Sequence, residues 1–320
     1  MKFILLFAAL CCATHVHAGC GTSFCTVNTY WDTQGLANKE GLRIDLRYSY
    51  AKADTPRVGT SKVSNDPALA APGDEVENLR TINQTLNLDI DYAINQQLSI
   101  ALGLPVVKRD HTHTIAPATV EQGNFSKLGD IRVVGNYKFD SDDHNSGSGI
   151  RIGLKLPTGE TDWELQPGAV GERSLQPGSG STDVILGAYF HQELADTFWS
   201  WFVSGQTQNA VRTKDDYRPG NEITLDMGTH YAISPALTGL LQLNAQFKHR
   251  DSGLNANPHS GGRSLNLSPG LSYAVKPMTR LYGYLQLPLY QYANPDPDPA
   301  VTTGQLTAPW SFSVGVSHSY

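Results

Sequence analysis

Gly41-Leu42-Arg43-Ile44-Asp45-Leu46-Arg47-Tyr48-Ser49-Tyr50 alternates apolar and polar residues without a break. Leu42, Ile44, Leu46, Tyr48 and Tyr50 share one face of an extended strand, and Arg43, Asp45, Arg47 and Ser49 share the other. A period of two is what a strand needs when its two faces meet different media. The last segment repeats the pattern: Phe312, Val314, Val316, His318 and Tyr320 interleave with Ser313, Gly315, Ser317 and Ser319, and the chain stops on an aromatic residue.

Working outward from these two segments, twelve stretches read as strands: 41–52, 81–94, 97–107, 129–139, 149–156, 182–193, 197–206, 222–233, 236–249, 263–275, 279–291 and 309–320. The connections alternate in length. Asn95-Gln96, Ser234-Pro235 and the stretches 194–196 and 276–278 are tight, and 140–148 is of modest length. The gaps 53–80, 108–128, 157–181, 207–221, 250–262 and 292–308 are long and rich in Pro, Gly, Asp, Asn or Thr. Short turns on the periplasmic side and long loops outside are the pattern of a bacterial outer-membrane β-barrel, which has an even number of strands. The expected fold is therefore an all-β transmembrane antiparallel barrel of about twelve strands, with both termini periplasmic. A secreted β-sandwich also alternates, but nothing in it demands this loop parity.

Two internal echoes agree with the barrel. Tyr92-Ala93-Ile94, Tyr231-Ala232-Ile233 and Tyr273-Ala274-Val275 each precede a tight turn, where a girdle of amphipathic rings is expected. Leu104-Pro105, Leu156-Pro157 and Leu287-Pro288 recur near the opposite end of the strands. Proline donates nothing to a strand ladder, so these pairs mark where regular strand gives way to loop geometry.

The N-terminus carries Lys2, an apolar run from Phe3 to Ala13, and Val16-His17-Ala18. This reads as a secretory signal peptide over residues 1–18, since the run is too short to span a bilayer. A lipoprotein reading would use Cys20 but finds His17 where an aliphatic residue is wanted. Residues 19–40 read as a periplasmic tail, in which Cys20 and Cys25 form a candidate disulfide in an oxidising compartment. Residues 41–320 form the barrel. A net charge of −6 gives no reason to expect nucleic acid.

With the apolar set facing lipid, alternation assigns the lumen. It places Arg43, Asp45 and Arg47 there from the first strand, and Asn87, Asp89 and Asp91 from the second. Asp130, Arg132, Arg151 and Lys155 follow, then Asp226, His230 and Lys248. Phe198, Phe202, Tyr282 and Tyr284 add aromatic surface on the same side. Charges at membrane depth are costly unless they meet water or a partner, so these residues either brace the barrel or line an aqueous path. A twelve-strand bore lies between the filled eight-strand barrel and the open porin.

Catalytic groupings are weak. His230 and Asp226 with Ser268 or Ser272 are all that resembles a hydrolase triad. His111 and His113 lack a third ligand, so no metal or cofactor is expected.

Around the fifth strand, Lys155-Leu156-Pro157-Thr158-Gly159-Glu160 is followed by Gln176-Pro177-Gly178-Ser179-Gly180-Ser181-Thr182-Asp183. This pair of segments resembles the family called MetA-pathway of phenol degradation, and the similarity extends over most of the mature chain. The resemblance implies an outer-membrane transporter barrel for small aromatic or apolar compounds. The expected function is passage of a small solute across the outer membrane, with membrane lipid as the surrounding partner and the oligomeric state open. The alternatives are a non-conducting structural or adhesive barrel, and an outer-membrane lipid-modifying enzyme.

Overall fold

The structure is a computed structural model that describes residues 27–36, 41–64, 75–115, 119–141, 145–298 and 303–320. Residues 1–18, which the sequence reads as a signal peptide, and the cysteines Cys20 and Cys25 lie outside the described residues.

The chain forms β1 (Gly41–Ala53), two short strands β2 (Thr55–Val58) and β3 (Ser61–Lys62), β4 (Glu75–Ala93), β5 (Leu98–Ile115), β6 (Thr119–Leu128), β7 (Ile131–Lys138) and β8 (Ser146–Leu156). Then come β9 (Glu164–Gln166), β10 (Ala169–Val170), β11 (Thr182–Glu193), β12 (Trp199–Arg212), β13 (Glu222–Ala232) and β14 (Leu237–Lys248). The last strands are β15 (Gly262–Lys276), β16 (Thr279–Ala293), β17 (Gln305–Thr307) and β18 (Ser311–Ser319). The long strands pair antiparallel with their neighbours in turn, and β1 closes the sheet by pairing with both β18 and β4. Asp45, for example, lies opposite Ser317 on one side and Asp89 on the other. The result is a closed twelve-strand barrel, as expected, in which β6 and β7 share one position beside β5. Closure pairs each wall strand on both sides, the condition for passage through lipid.

Alternation sets the two faces. Leu46, Ile152, Met227 and Leu271 are exposed on the outside, while Asp45, Arg151, Asp226 and Ser272 are buried within. Tyr92, Tyr231 and Tyr273 are exposed beside the tight turns, where the girdle was expected. One aromatic departs from the expectation. Phe198 does not face the lumen: it is 69 % exposed and meets Tyr231 edge-on at the turn. The ladder of β12 begins only at Trp199, so alternation does not carry back to residue 198.

The connection 108–128 also differs from the loop that was expected. β5 runs on to Ile115 and returns as β6, a hairpin standing beyond the barrel wall. Pro105 sits at its base, where the partner of β5 changes from β7 to β6, and Gly129 N donates to the Pro105 carbonyl at 2.8 Å. Pro157 ends β8, and Pro288 lies at a register shift between β15 and β16.

Inside, five of the large rings have a glycine directly across the ladder. Tyr189 lies opposite Gly149, His191 opposite Gly147, Phe202 opposite Gly228, Tyr284 opposite Gly270 and Tyr282 opposite Gly315. A Cβ at Gly270 would stand 2.5 Å from Tyr284 Cδ1, so the ring lies flat over bare backbone. Overpacking of this kind costs about 1–3 kcal/mol. We expect Gly270→Val to lower the temperature at which the barrel loses its folded gel mobility in detergent. Adding Tyr284→Ala should recover much of the loss, and no recovery would show that the pairing is incidental.

Candidate functional site

Residues 27–36 lie inside the barrel, where the sequence suggested a periplasmic tail. Trp31 to Gly35 make a compact turn: Thr33 N reaches the Tyr30 carbonyl at 3.0 Å and Leu36 N the Trp31 carbonyl at 2.9 Å. Gly35 closes it at φ +73°, and a Cβ there would meet His191 Nδ1 at 2.5 Å.

Its contacts span the bore. Asn28 N donates to Gln242 Oε1 at 3.1 Å, and Gln242 Nε2 returns to the Asn28 carbonyl at 2.9 Å. Asn28 Nδ2 donates to Ser204 Oγ at 2.9 Å on β12. Trp31 Nε1 donates to Asp45 Oδ2 at 3.2 Å, and Tyr282 donates to the other oxygen at 2.7 Å. Trp31 also meets the Tyr282 ring edge-on at 4.8 Å, in a buried cluster with Val27, Leu240 and Tyr284. Arg151 stacks its guanidinium 3.7 Å above the Tyr30 ring. Arg43 bridges Asp32 at 3.1 Å and Asp91 at 2.6 Å.

The segment divides the lumen into two chambers of about 400 Å³ each. The expected lumen residues sort by height against it. Arg43 and Asp91 line the turn-side chamber. Asp45, Arg151, Asp226 and His230 are buried at the level of the segment. Arg47, Asn87, Asp89, Asp130, Arg132, Lys155 and Lys248 line the loop-side chamber. In that chamber the basic side chains outnumber the acidic by six to four.

The hydrolase grouping does not assemble. His230 faces Ser200 Oγ at 3.3 Å and Gln34 Oε1 at 3.0 Å, while Ser268 donates to Asn244 and Asp226 accepts from Asn244 at 2.7 Å. His111 and His113 face each other, Nε2 to Nδ1, at 3.1 Å, within hydrogen-bond distance. Among the described residues no group of three His, Cys, Asp or Glu is placed to hold a metal.

Sequence reasoning left Asn28, Trp31 and Gln34 out of the site. The signal was indirect. Asp45, His230 and Gln242 are polar groups at membrane depth that require partners, and the strands alone supply too few of them.

The motif around Lys155 folds the loop 157–181 over the mouth. Lys155 Nζ bridges Asp183 at 2.9 Å and Asp130 at 3.3 Å and also contacts Ser179. Asp130 in turn accepts Gly159 N at 3.1 Å and Ser179 N at 2.9 Å. Thr158 Oγ1 accepts from Ile131 N and donates to the Gly129 carbonyl, both at 2.9 Å. Pro157 to Asp183 is thus pinned at both ends, and Ser174 and Gln176 to Ser179 line the loop-side chamber.

A family model described as MetA-pathway of phenol degradation matches residues 75–293, the stretch that carries this motif and most of the barrel. The chain belongs to that family. Among solved structures, this family member is similar to the COG4313 outer membrane channel from Pseudomonas putida F1. The TM-score is 0.65 at 13% identity, covering 92% of this chain and 100% of that one. It also matches the P. putida toluene transporter TodX, with a TM-score of 0.45 at 7% identity over 88% of this chain and 91% of that one. The KdgM porin matches with a TM-score of 0.44 at 11% identity, over 87% and 99% of the two chains. At such identities the likeness is one of fold, that of a bacterial outer-membrane barrel. No curated protein matches the chain.

Proposed function

We propose that this family member is an outer-membrane channel that passes a small solute and is closed at rest by residues 27–36. The observation that carries the reading is the segment itself, hydrogen-bonded across the bore and separating two chambers of about 400 Å³ each. A barrel that served only as a scaffold has no use for two chambers parted by an inserted segment. The reading places both termini in the periplasm, so the segment is threaded from the turn side and withdraws the same way. Residues 1–18 are then the removed signal peptide, and Cys20 and Cys25 are paired just ahead of the segment, where a small loop would resist full extrusion. No covalent chemistry is assigned to the lumen.

The loop-side chamber sets ionic preference. Arg47 and Arg132 line it, and its excess of basic groups favours anions near the wall. The double variant Arg47→Glu and Arg132→Glu should reverse that preference. The measurement is the reversal potential across a planar bilayer under a salt gradient, with residues 27–36 deleted in both proteins so that current flows. A reversal potential of unchanged sign would remove these two arginines from the path.

The channel reading itself is tested by ion current from the full chain in planar bilayers. Brief openings on a closed baseline are expected. A permanently silent barrel, even after removal of residues 27–36, would support a structural role instead.

A further inference from the structure

A second space lies outside the lumen, among the loops. It encloses about 500 Å³ between the β5–β6 hairpin, the loop 157–181 and the loops that follow β12 and β14. Ile115, Leu165, Val170, Leu175, Leu254 and Ala256 give it an apolar wall. Leu254 is 90 % exposed at its rim, an unusual setting for a leucine well clear of the lipid-facing strands.

Its charged groups are occupied with each other. His113 faces Glu121 at 3.4 Å. Glu172 accepts from Asn257 at 3.1 Å and from Ser174 at 3.0 Å. Asp251 accepts the Tyr217 hydroxyl at 2.9 Å and Gly220 N at 2.8 Å. Burial and the neighbouring Asp251 carboxylate hold the Tyr217 phenol well above its ordinary range, so it stays neutral. A space whose charges are internally spent favours an uncharged occupant.

Arg173 and Tyr217 line this space and the loop-side chamber alike, with the guanidinium 5.3 Å from the Tyr217 ring centroid. They form a thin partition between the two. Arg173 donates to the Thr161 carbonyl at 2.9 Å and to Asp215 at 3.0 Å. Its Nε is buried and has no hydrogen-bond partner among the described residues. A buried donor left unmade is costly, and an acceptor atom on a bound molecule would satisfy it.

We propose that this space is a binding site for an uncharged, mainly apolar small molecule carrying one oxygen acceptor, held at the barrel mouth before the Arg173–Tyr217 partition. The site deepens the transport reading above, but its occupancy is an equilibrium property that does not depend on passage.

The test uses the full chain in lipid nanodiscs and the fluorescent probe 6-propionyl-2-dimethylaminonaphthalene, which is uncharged and has one ketone oxygen. Empty nanodiscs supply the baseline for partition into lipid. A saturable, blue-shifted component, one per chain, is expected. Val170→Asp places a carboxylate on the apolar wall, and Ala256→Trp fills the space. Each should weaken binding about tenfold or more. Both positions are at least partly exposed, and retained heat-modifiable gel mobility confirms folding. Asn87→Trp, in the loop-side chamber, should leave binding within about twofold. No saturable component would overturn the site. So would binding unchanged in both pocket variants, or weakened as much by Asn87→Trp as by them.

Discussion

Deleting residues 27–36 raises the single-channel conductance of the barrel several-fold and replaces brief openings with a steady open level. The segment is hydrogen-bonded across the bore and separates two chambers of about 400 Å³ each. Its removal joins them. The barrel should survive the loss. Gln242, Asp45 and His230 lose partners, but water enters the vacated space and takes their hydrogen bonds, so the penalty of an unpaired buried group is not incurred. Arg43 keeps Asp91 across the β1–β4 ladder. Heat-modifiable mobility should therefore persist while conductance rises. Trp31→Ala should act in the same direction and more weakly, because it removes the Asp45 hydrogen bond and the edge contact with Tyr282 but leaves the Asn28–Gln242 pair. A deletion variant with the resting conductance of the full chain would mean that the segment does not limit the current.

Lys155→Met destabilises the mouth by about 3–5 kcal/mol, the cost of leaving buried charge without its counter-charge. Lys155 is nearly enclosed between Asp130 and Asp183, and their side chains are only 9% and 3% exposed. One ammonium serves both carboxylates and contacts Ser179. Without it, two anions are left facing Ser181 and Gln208 alone on the β11 side, and Gly159 and Ser179 on the loop side. The unfolding temperature of the folded gel species should fall. Loop 157–181 should also become open to protease, since Asp130 is what ties Gly159 and Ser179 to the rim. Lys155→Arg should restore part of the stability. Asp130→Asn and Asp183→Asn added to Lys155→Met should restore more, because they remove the stranded charge rather than replace the missing one. A Lys155→Met protein as stable as the original would show that the triad is solvated and of little consequence.

The barrel was legible in the sequence because its two faces meet lipid and water. Leu42 to Tyr50 and Phe312 to Tyr320 alternate for that reason, and each pairs as a wall strand in the order read. The hairpin from His111 to Gln122 was read as loop for the converse reason. It stands clear of the lipid, both faces are polar or shielded by other loops, and the period-two apolar signal is absent even though Thr and Val favour strand there. The glycines opposite Tyr284 and Tyr282 were visible as small inward residues on the tenth and twelfth strands, but their register against the rings needs the paired sheet. The occluding segment was the least legible part. Ten residues with no periodicity carry no strand or helix signal, and their place is set by partners more than a hundred residues away, such as Ser204, His230 and Gln242. Phe198 shows the limit of alternation itself, which holds only within a ladder.

The most direct test of an occluding segment that must move is a reversible tether. Asn28 Nδ2 lies 2.9 Å from Ser204 Oγ, so a disulfide between cysteines at the two positions requires the segment to move only a short way toward β12. With Cys20 and Cys25 changed to serine, the Asn28→Cys and Ser204→Cys protein should be silent in a planar bilayer when oxidised. It should begin to open when a reductant is added to the same membrane. A current that is indifferent to the state of that bond would contradict the account.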